Sequence, residues 1–305
     1  MPYPSPITYP SPTLYPGFLG GATEYHQVSI GDIVFGSRDS GPEGARFSLT
    51  TFDGWKGRTG TTAQLTQRAR GHGATSSEGF MPARIMTLGG LIHAPDAEAL
   101  DVAFDRLNAA ITLDETPMLV AEGGRVRNCM VKLQGEVIPE MITDKLGRYS
   151  VLISAKDPLK YGDLLTQSTA LPSSSGGLVY PATYPVTYTG VSVTGVLRVT
   201  NPGNTQAPVW LRVDGPIPAG GWTVTHVGKK QSLTFSTALA LEAGEFVTVD
   251  MEKREVLAQG QAPRAGYVTS RGWFSLDPGD NDIAFSAQNY SSTALLTVST
   301  KPAWA

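Results

Sequence analysis

A chain of 305 residues exceeds the usual size of a single hydrophobic core, so two domains are the default expectation. Its 41% hydrophobic share suffices for packed cores, its 17% charged share lies below the usual value of about 25%, and a formal net charge of −3 gives no bulk attraction to nucleic acid or an anionic membrane. The single cysteine, Cys129, excludes an internal disulfide, and no apolar run approaches the roughly 18 residues of a membrane-spanning helix.

Residues 1–21 are a Pro- and Tyr-rich arm, with prolines at alternate positions near the start and tyrosines at Tyr3, Tyr9 and Tyr15. This spacing prevents helix and favours extended or polyproline II backbone. Two uses fit it: a loose tail, or an arm laid on a neighbouring subunit with the three tyrosines as anchors. The arm has neither the basic nor the apolar region of a signal peptide, so export by that route is not expected.

An N-terminal domain is expected over residues 22–164. Strand patterns occur at 27–30 and 33–35 across a Gly31-Asp32 turn, then at 46–52, where Phe47 and Leu49 share a face. Residues 54–80 are rich in Gly, Thr and Arg and almost free of apolar pattern, which predicts a long exposed loop or an irregular hairpin. Its cations Lys56, Arg58, Arg68 and Arg70 are candidate subunit or partner contacts. Without interleaved aromatic residues it does not suggest a nucleic-acid groove.

After a strand at 84–88, one helix is predicted near 96–111, with Pro95 as its first helical residue and Asp96 and Glu98 in the first turn. Leu100, Ala103, Phe104, Leu107 and Ile111 mark its apolar stripe. Strands follow at 118–121, at 126–133 with Cys129, Val131 and Leu133 on one face, and at 149–155.

Residues 165–185 have the Ser/Thr/Gly/Pro composition of a linker, and 186–305 show only turn-bounded strands, the pattern of a β-sandwich. The expected strands lie at 196–200, 209–213, 222–224, 233–235, 246–249, 267–268 and 294–298. A hairpin is expected between 273–276 and 283–285, with Pro278-Gly279 as the central pair of a type II turn.

No enzyme signature is present: there is no G-x-S-x-G, H-E-x-x-H or phosphate-binding loop, and His26, His72, His93 and His226 are scattered without metal-ligand spacing. Asp277, Asp280 and Asp282 lack the spacing of a calcium loop. Cys129, on an apolar strand face, is expected to be a small buried hydrophobe. No catalytic residue, metal or cofactor is assigned. Trp210, Trp222 and Trp273 each fall in an expected strand, where core packing is the usual use; a sugar-stacking platform of Trp222 and Trp273 is the alternative.

Several segments, in order, resemble those of distal tail proteins, the siphovirus-type tail component family of long non-contractile bacteriophage tails. They are 201–208 (Asn201-Pro202-Gly203-Asn204 at its start), 243–250 around Gly244-Glu245, 273–281 from Trp273 through Pro278-Gly279 to Asn281, and the Lys301-Pro302-Ala303-Trp304 ending. Residues 153–158 resemble the end of the family's first domain. The resemblance implies a mainly β protein: a ring-forming N-terminal domain with one helix and a galectin- or carbohydrate-module-like C-terminal sandwich. It further implies a homo-hexameric ring at the virion tail tip, assembled in the bacterial host cytoplasm. That ring joins the tail tube to the host-recognition hub, with the tail tube, hub and tape measure proteins as partners. The alternative is a carbohydrate-binding module that touches a host surface glycan. Neither use requires catalysis, nucleic acid sequence recognition or membrane insertion.

Overall fold

The computed structural model describes residues 26–175 and 191–305. They divide into two compact units, with the division between Gly162 and Asp163. The tyrosines Tyr3, Tyr9 and Tyr15 lie outside the described residues.

In the first unit the strands are β1 (Gln27–Ile30), β2 (Ile33–Phe35), β3 (Arg46–Asp53), β4 (Leu65–Gln67), β5 (Ala74–Ser76) and β6 (Arg84–His93). Helix α1 (Ala97–Ala110) follows, then β7 (Thr116–Glu122), β8 (Arg125–Thr143), β9 (Leu146–Ala155) and β10 (Lys160–Tyr161). One antiparallel sheet runs β2-β1-β7-β8-β9-β6-β3, while β4 and β5 form a separate exposed hairpin. The segment 54–80 is therefore an irregular hairpin, the second of its two expected forms.

One face of this sheet packs against α1. Val28, Ile30, Leu88, Ile92, Val131, Val151 and Ile153 are buried there with Leu100, Ala103 and Leu107 of the helix. The helix lies so close to β9 that a Cβ on Gly147 would stand 2.7 Å from Phe104 Cζ and 3.1 Å from Leu100 Cδ1. The helix begins at Ala97, two residues after Pro95, the expected first helical residue. Asp96 is the N-cap rather than a first-turn residue, and its carboxylate accepts a hydrogen bond from Ala99 N at 2.8 Å. Capping satisfies a donor that the helix itself cannot, so Asp stands outside the first turn and Pro95 precedes it.

Two further boundaries move. β8 continues to Thr143, ten residues beyond Leu133, and shifts register between Leu133 and Val137. Cys129, Val131 and Leu133 do share the core face. The stretch from 165, expected as linker, opens instead with strand β11 (Leu165–Ala170) of the second unit, paired along its whole length with β23 (Leu295–Thr300). Its Ser/Thr composition suits an exposed strand: Thr166 and Ser299 hydroxyls lie 3.2 Å apart and those of Ser168 and Thr297 3.0 Å. The part of the expected linker from 176 to 185 lies outside the described residues.

The second unit continues with β12 (Ser173–Ser175), β13 (Val191–Val193), β14 (Val196–Asn201), β15 (Val209–Asp214), β16 (Trp222–His226), β17 (Gln231–Phe235) and β18 (Phe246–Asp250). Then come β19 (Glu255–Ala258), β20 (Ala262–Pro263), a 3-10 turn (Ala265–Tyr267), β21 (Val268–Arg271), β22 (Gly279–Ala287), β23 and β24 (Ala303–Trp304). Two main sheets, β11-β23-β15-β18-β19-β20 and β14-β22-β16-β17-β21, each bury alternate residues, as a β-sandwich requires. Val209, Leu211 and Val213 face inward from one, and Trp222, Val224 and His226 from the other.

The expected hairpin between 273–276 and 283–285 does not form. Leu276 makes a single bridge to Ala207, and β22 pairs instead with β14 and β16. Gly279 does adopt the positive φ expected of it, +93°, at the turn that starts β22.

Candidate functional site

The first candidate surface is the basic hairpin, and its root is built around a buried cation. Arg84, at the start of β6, donates from Nη1 to the carbonyls of Gly54, Trp55 and Gly57 at 2.8, 3.2 and 2.7 Å, and from Nε to Pro158 O at 2.8 Å. Lys160 Nζ donates to Trp55 O at 2.9 Å. Burial, with the charges of Arg84 and Arg127 adding to it, brings the Lys160 pKa down to about 8. The Trp55 ring is buried against Phe52, and its Nε1 donates to Glu122 Oε2 at 3.3 Å. Lys56 lies 3.5 Å from the same carboxylate. Beyond this root Arg58, Arg68 and Arg70 stand exposed. The four sequence-selected cations are thus brought to one projecting arm. Trp55, Arg84 and Lys160, which anchor it, were missed; a lone tryptophan in an otherwise polar segment was the available signal.

The proposed sugar platform is not one. Trp222 is 1% exposed and stacks on Phe235 with ring centroids 3.8 Å apart, edge-on to Phe285 at 6.4 Å. Its alternate-residue position on β16 points it into the sandwich, so its face is covered. Trp273 is half-buried and lies outside any strand. An open cleft of about 400 Å³ adjoins Trp222, lined by hydroxyls of Thr223, Thr234, Thr269 and Ser286 among others and by no charged side chain.

The family-like segments 201–208 and 273–281 meet at two buried asparagines. Asn201 Nδ2 donates to Thr205 O and Leu276 O at 2.8 and 3.2 Å, and its Oδ1 accepts from Gly203 N at 2.9 Å. Asn281 Nδ2 donates to Asp277 O and Gly279 O at 2.8 and 2.9 Å, while Oδ1 accepts from Asp277 N at 3.0 Å. His226 Nδ1 accepts from Lys229 N at 3.3 Å, which leaves the proton on Nε2 to donate to Asn281 Oδ1 at 3.0 Å. Burial holds the His226 pKa below its ordinary value despite that bond. Lys229 Nζ closes the turn, 2.9 Å from Asp277 Oδ1 and 2.7 Å from Ser275 O. These polar groups are occupied with one another and their work is structural.

Cys129 is fully buried, and desolvation pushes its pKa up to about 12. Among the described residues no group of three or more His, Cys, Asp or Glu side chains could hold a metal ion, and no helix is long and apolar enough to cross a membrane.

Residues 202–304 match the family described as siphovirus-type tail component, C-terminal domain. This part of the chain is similar to that family. The match takes in the Asn281 turn, the Gly244-Glu245 turn and the Lys301–Trp304 ending. Comparison with curated protein sequences gives no match. Among solved structures, the chain is similar to the Dit protein of phage SPP1, described as a paradigm of the hub adsorption apparatus in phages that infect Gram-positive bacteria. The likeness covers 92% of this chain and 99% of that one, with a TM-score of 0.65 at 11% identity, and shows a shared fold. A chain of the phage p2 baseplate in its activated conformation aligns over 90% of this chain and 97% of its own, with a TM-score of 0.44 at 9% identity. Residues 202–304 thus match a phage tail component domain, within a largely β fold.

Proposed function

We propose that this protein is a structural, non-enzymatic component of the phage tail tip. The match of residues 202–304 to a tail component domain carries the reading. The fold likeness to the SPP1 protein supports extending it to the whole chain. In this reading six copies close into a ring between the tail tube and the host-recognition hub, within reach of the tape measure protein. The first unit supplies the ring contacts and the second docks other tip proteins. A ring needs complementary surfaces and no reactive centre, which suits a molecule whose buried Asn201, Asn281 and His226 are spent on tying a turn. Cryo-electron microscopy of assembled particles tests it. Density for this chain at the distal end of the tube is expected; its absence from the tail, or its presence only in the head, sinks the proposal.

The carbohydrate alternative loses Trp222 to the core but keeps the neutral, hydroxyl-lined cleft beside it. Such a lining suits an uncharged polyhydroxylated ligand. A glycan array with the full chain tests it, and no binding to any glycan ends that reading.

A further inference from the structure

Two surfaces of the first unit carry opposite charge. Between Lys56 and Phe80 the hairpin has four cations, Lys56, Arg58, Arg68 and Arg70, against the single carboxylate of Glu78. Arg58, Arg68 and Arg70 make no ion pair among the described residues, and residues 60–80 are exposed throughout. Apolar side chains are exposed on the same arm: Leu65 is 72% and Phe80 63% accessible. A free arm with this much apolar surface and unpaired positive charge has the composition of a contact, not of a solvated loop.

Helix α1 is the complement. Its outward stripe carries Glu98, Asp101 and Asp105, at the i, i+3, i+7 spacing of one helix face, and none has a basic partner among the described residues. The helix's one cation, Arg106, is engaged elsewhere: Nε lies 2.7 Å from Asp32 Oδ2 and Nη1 2.9 Å from Glu43 Oε2. Val102 stands among these acids at 48% exposure. Like charges along one helix face are mutually unfavourable, which an opposing cationic surface reverses.

The two surfaces originate at opposite ends of one strand. The hairpin leaves the sheet where β3 ends and β6 begins, with Asp53 paired to Thr87, whereas α1 follows the far end of β6 at His93. At about 3.3 Å per residue the ten-residue β6 separates these exits by roughly 30 Å. Different, complementary patches at two ends of one unit make a head-to-tail contact that repeats from copy to copy and closes as a ring when the rotation permits.

We propose that the 56–80 hairpin of one copy docks on the Glu98, Asp101 and Asp105 face of α1 in the next copy. The arginines meet the carboxylates, and Leu65 and Phe80 cover Val102. This rests on the ring reading above and names its interface. The root held by Arg84 sets the arm's direction, so docking orders only its outer part.

Analytical ultracentrifugation of the full chain at low salt tests it with two variants. One is Arg58→Glu, Arg68→Glu, Arg70→Glu; the other is Asp101→Lys, Asp105→Lys, which leaves the Asp96 cap untouched. Each alone is expected to weaken assembly at least about tenfold, since like charges then face each other. Mixed in equal amounts, they are expected to re-assemble as alternating copies, because each reversed surface finds its complement and the unreversed pair is retained. Folding is monitored by circular dichroism, and the mixture is the control for it. Either variant assembling like wild type, or a folded mixture that stays monomeric, overturns the docking while wild-type assembly keeps the ring reading alive. A wild-type chain that is monomeric at every concentration and salt overturns both.

Discussion

Asn281→Ala removes four hydrogen bonds at once from the turn that begins β22. Its amide accepts from His226 Nε2 and Asp277 N and donates to Asp277 O and Gly279 O, all between 2.8 and 3.0 Å. The two carbonyls sit at a partly exposed turn and can recruit water, so each loss costs about 0.5–1.5 kcal/mol, whereas an orphaned buried donor costs about 1–3 kcal/mol. His226 Nε2 is the buried donor. Together the losses come to about 3–5 kcal/mol, a drop in melting temperature of roughly 6–20 °C for a unit of this size. Urea denaturation of the full chain, with hydrogen exchange read on peptides spanning β14 and β22, measures it. Asn281→Asp serves as a second probe: it keeps the acceptor but turns a second oxygen toward two carbonyls, and is expected to cost at least as much. A destabilisation of Asn281→Ala below about 1 kcal/mol would falsify the view that this amide holds the 277–281 turn together and ties it to His226.

Trp222→Ala is expected to destabilise the second unit by about 3–5 kcal/mol, measured by the same denaturation, because it empties the stack on Phe235; a folded variant of wild-type stability would restore the surface reading of that ring. His226 is held neutral with its pKa lowered, so the unfolded chain takes up a proton that the native one refuses. Stability should be full above the ordinary histidine value of about 6.5 and fall as pH drops below it, by at most about 1.4 kcal/mol per pH unit. His226→Gln should flatten that slope between about pH 7 and 5.5, and an unchanged slope rules His226 out as its source. Cys129, with its pKa raised to about 12, should resist a thiol reagent at neutral pH in the native chain and react once urea unfolds it, as counted by mass spectrometry.

Much of the fold was legible because its signals are local. The Leu100, Ala103, Leu107 spacing found α1, the Gly31-Asp32 turn found its hairpin, and the alternation of Val209, Leu211 and Val213 found β15. What failed was non-local. Pro278-Gly279 suggested a hairpin with its neighbours in sequence, but the strand it starts is claimed from both sides by β14 and β16, more than fifty residues away. β8 hid its second half because the shift between Leu133 and Val137 breaks the two-residue period, and because Glu136, Pro139 and Glu140 interrupt it. β11 looked like a linker because a strand that buries little needs no apolar pattern. The candidate contact residues were legible as a charge cluster; Arg84 was not, since nothing in a sequence distinguishes a surface arginine from one that will be sealed among carbonyls.

The Arg84 clamp has a consequence for how such a molecule can change. The oxygens it grips belong to the main chain of residues 54, 55, 57 and 158, so the grip does not depend on which side chains the arm beyond them carries, although position 54 itself must be glycine, its φ being +82° and a Cβ there colliding with Ile85 O. Fold and arm are thereby uncoupled. The outer hairpin can be lengthened, shortened or given new chemistry while the sheet beneath it keeps its register, a socket into which successive specificities could be fitted without rebuilding the body that holds them.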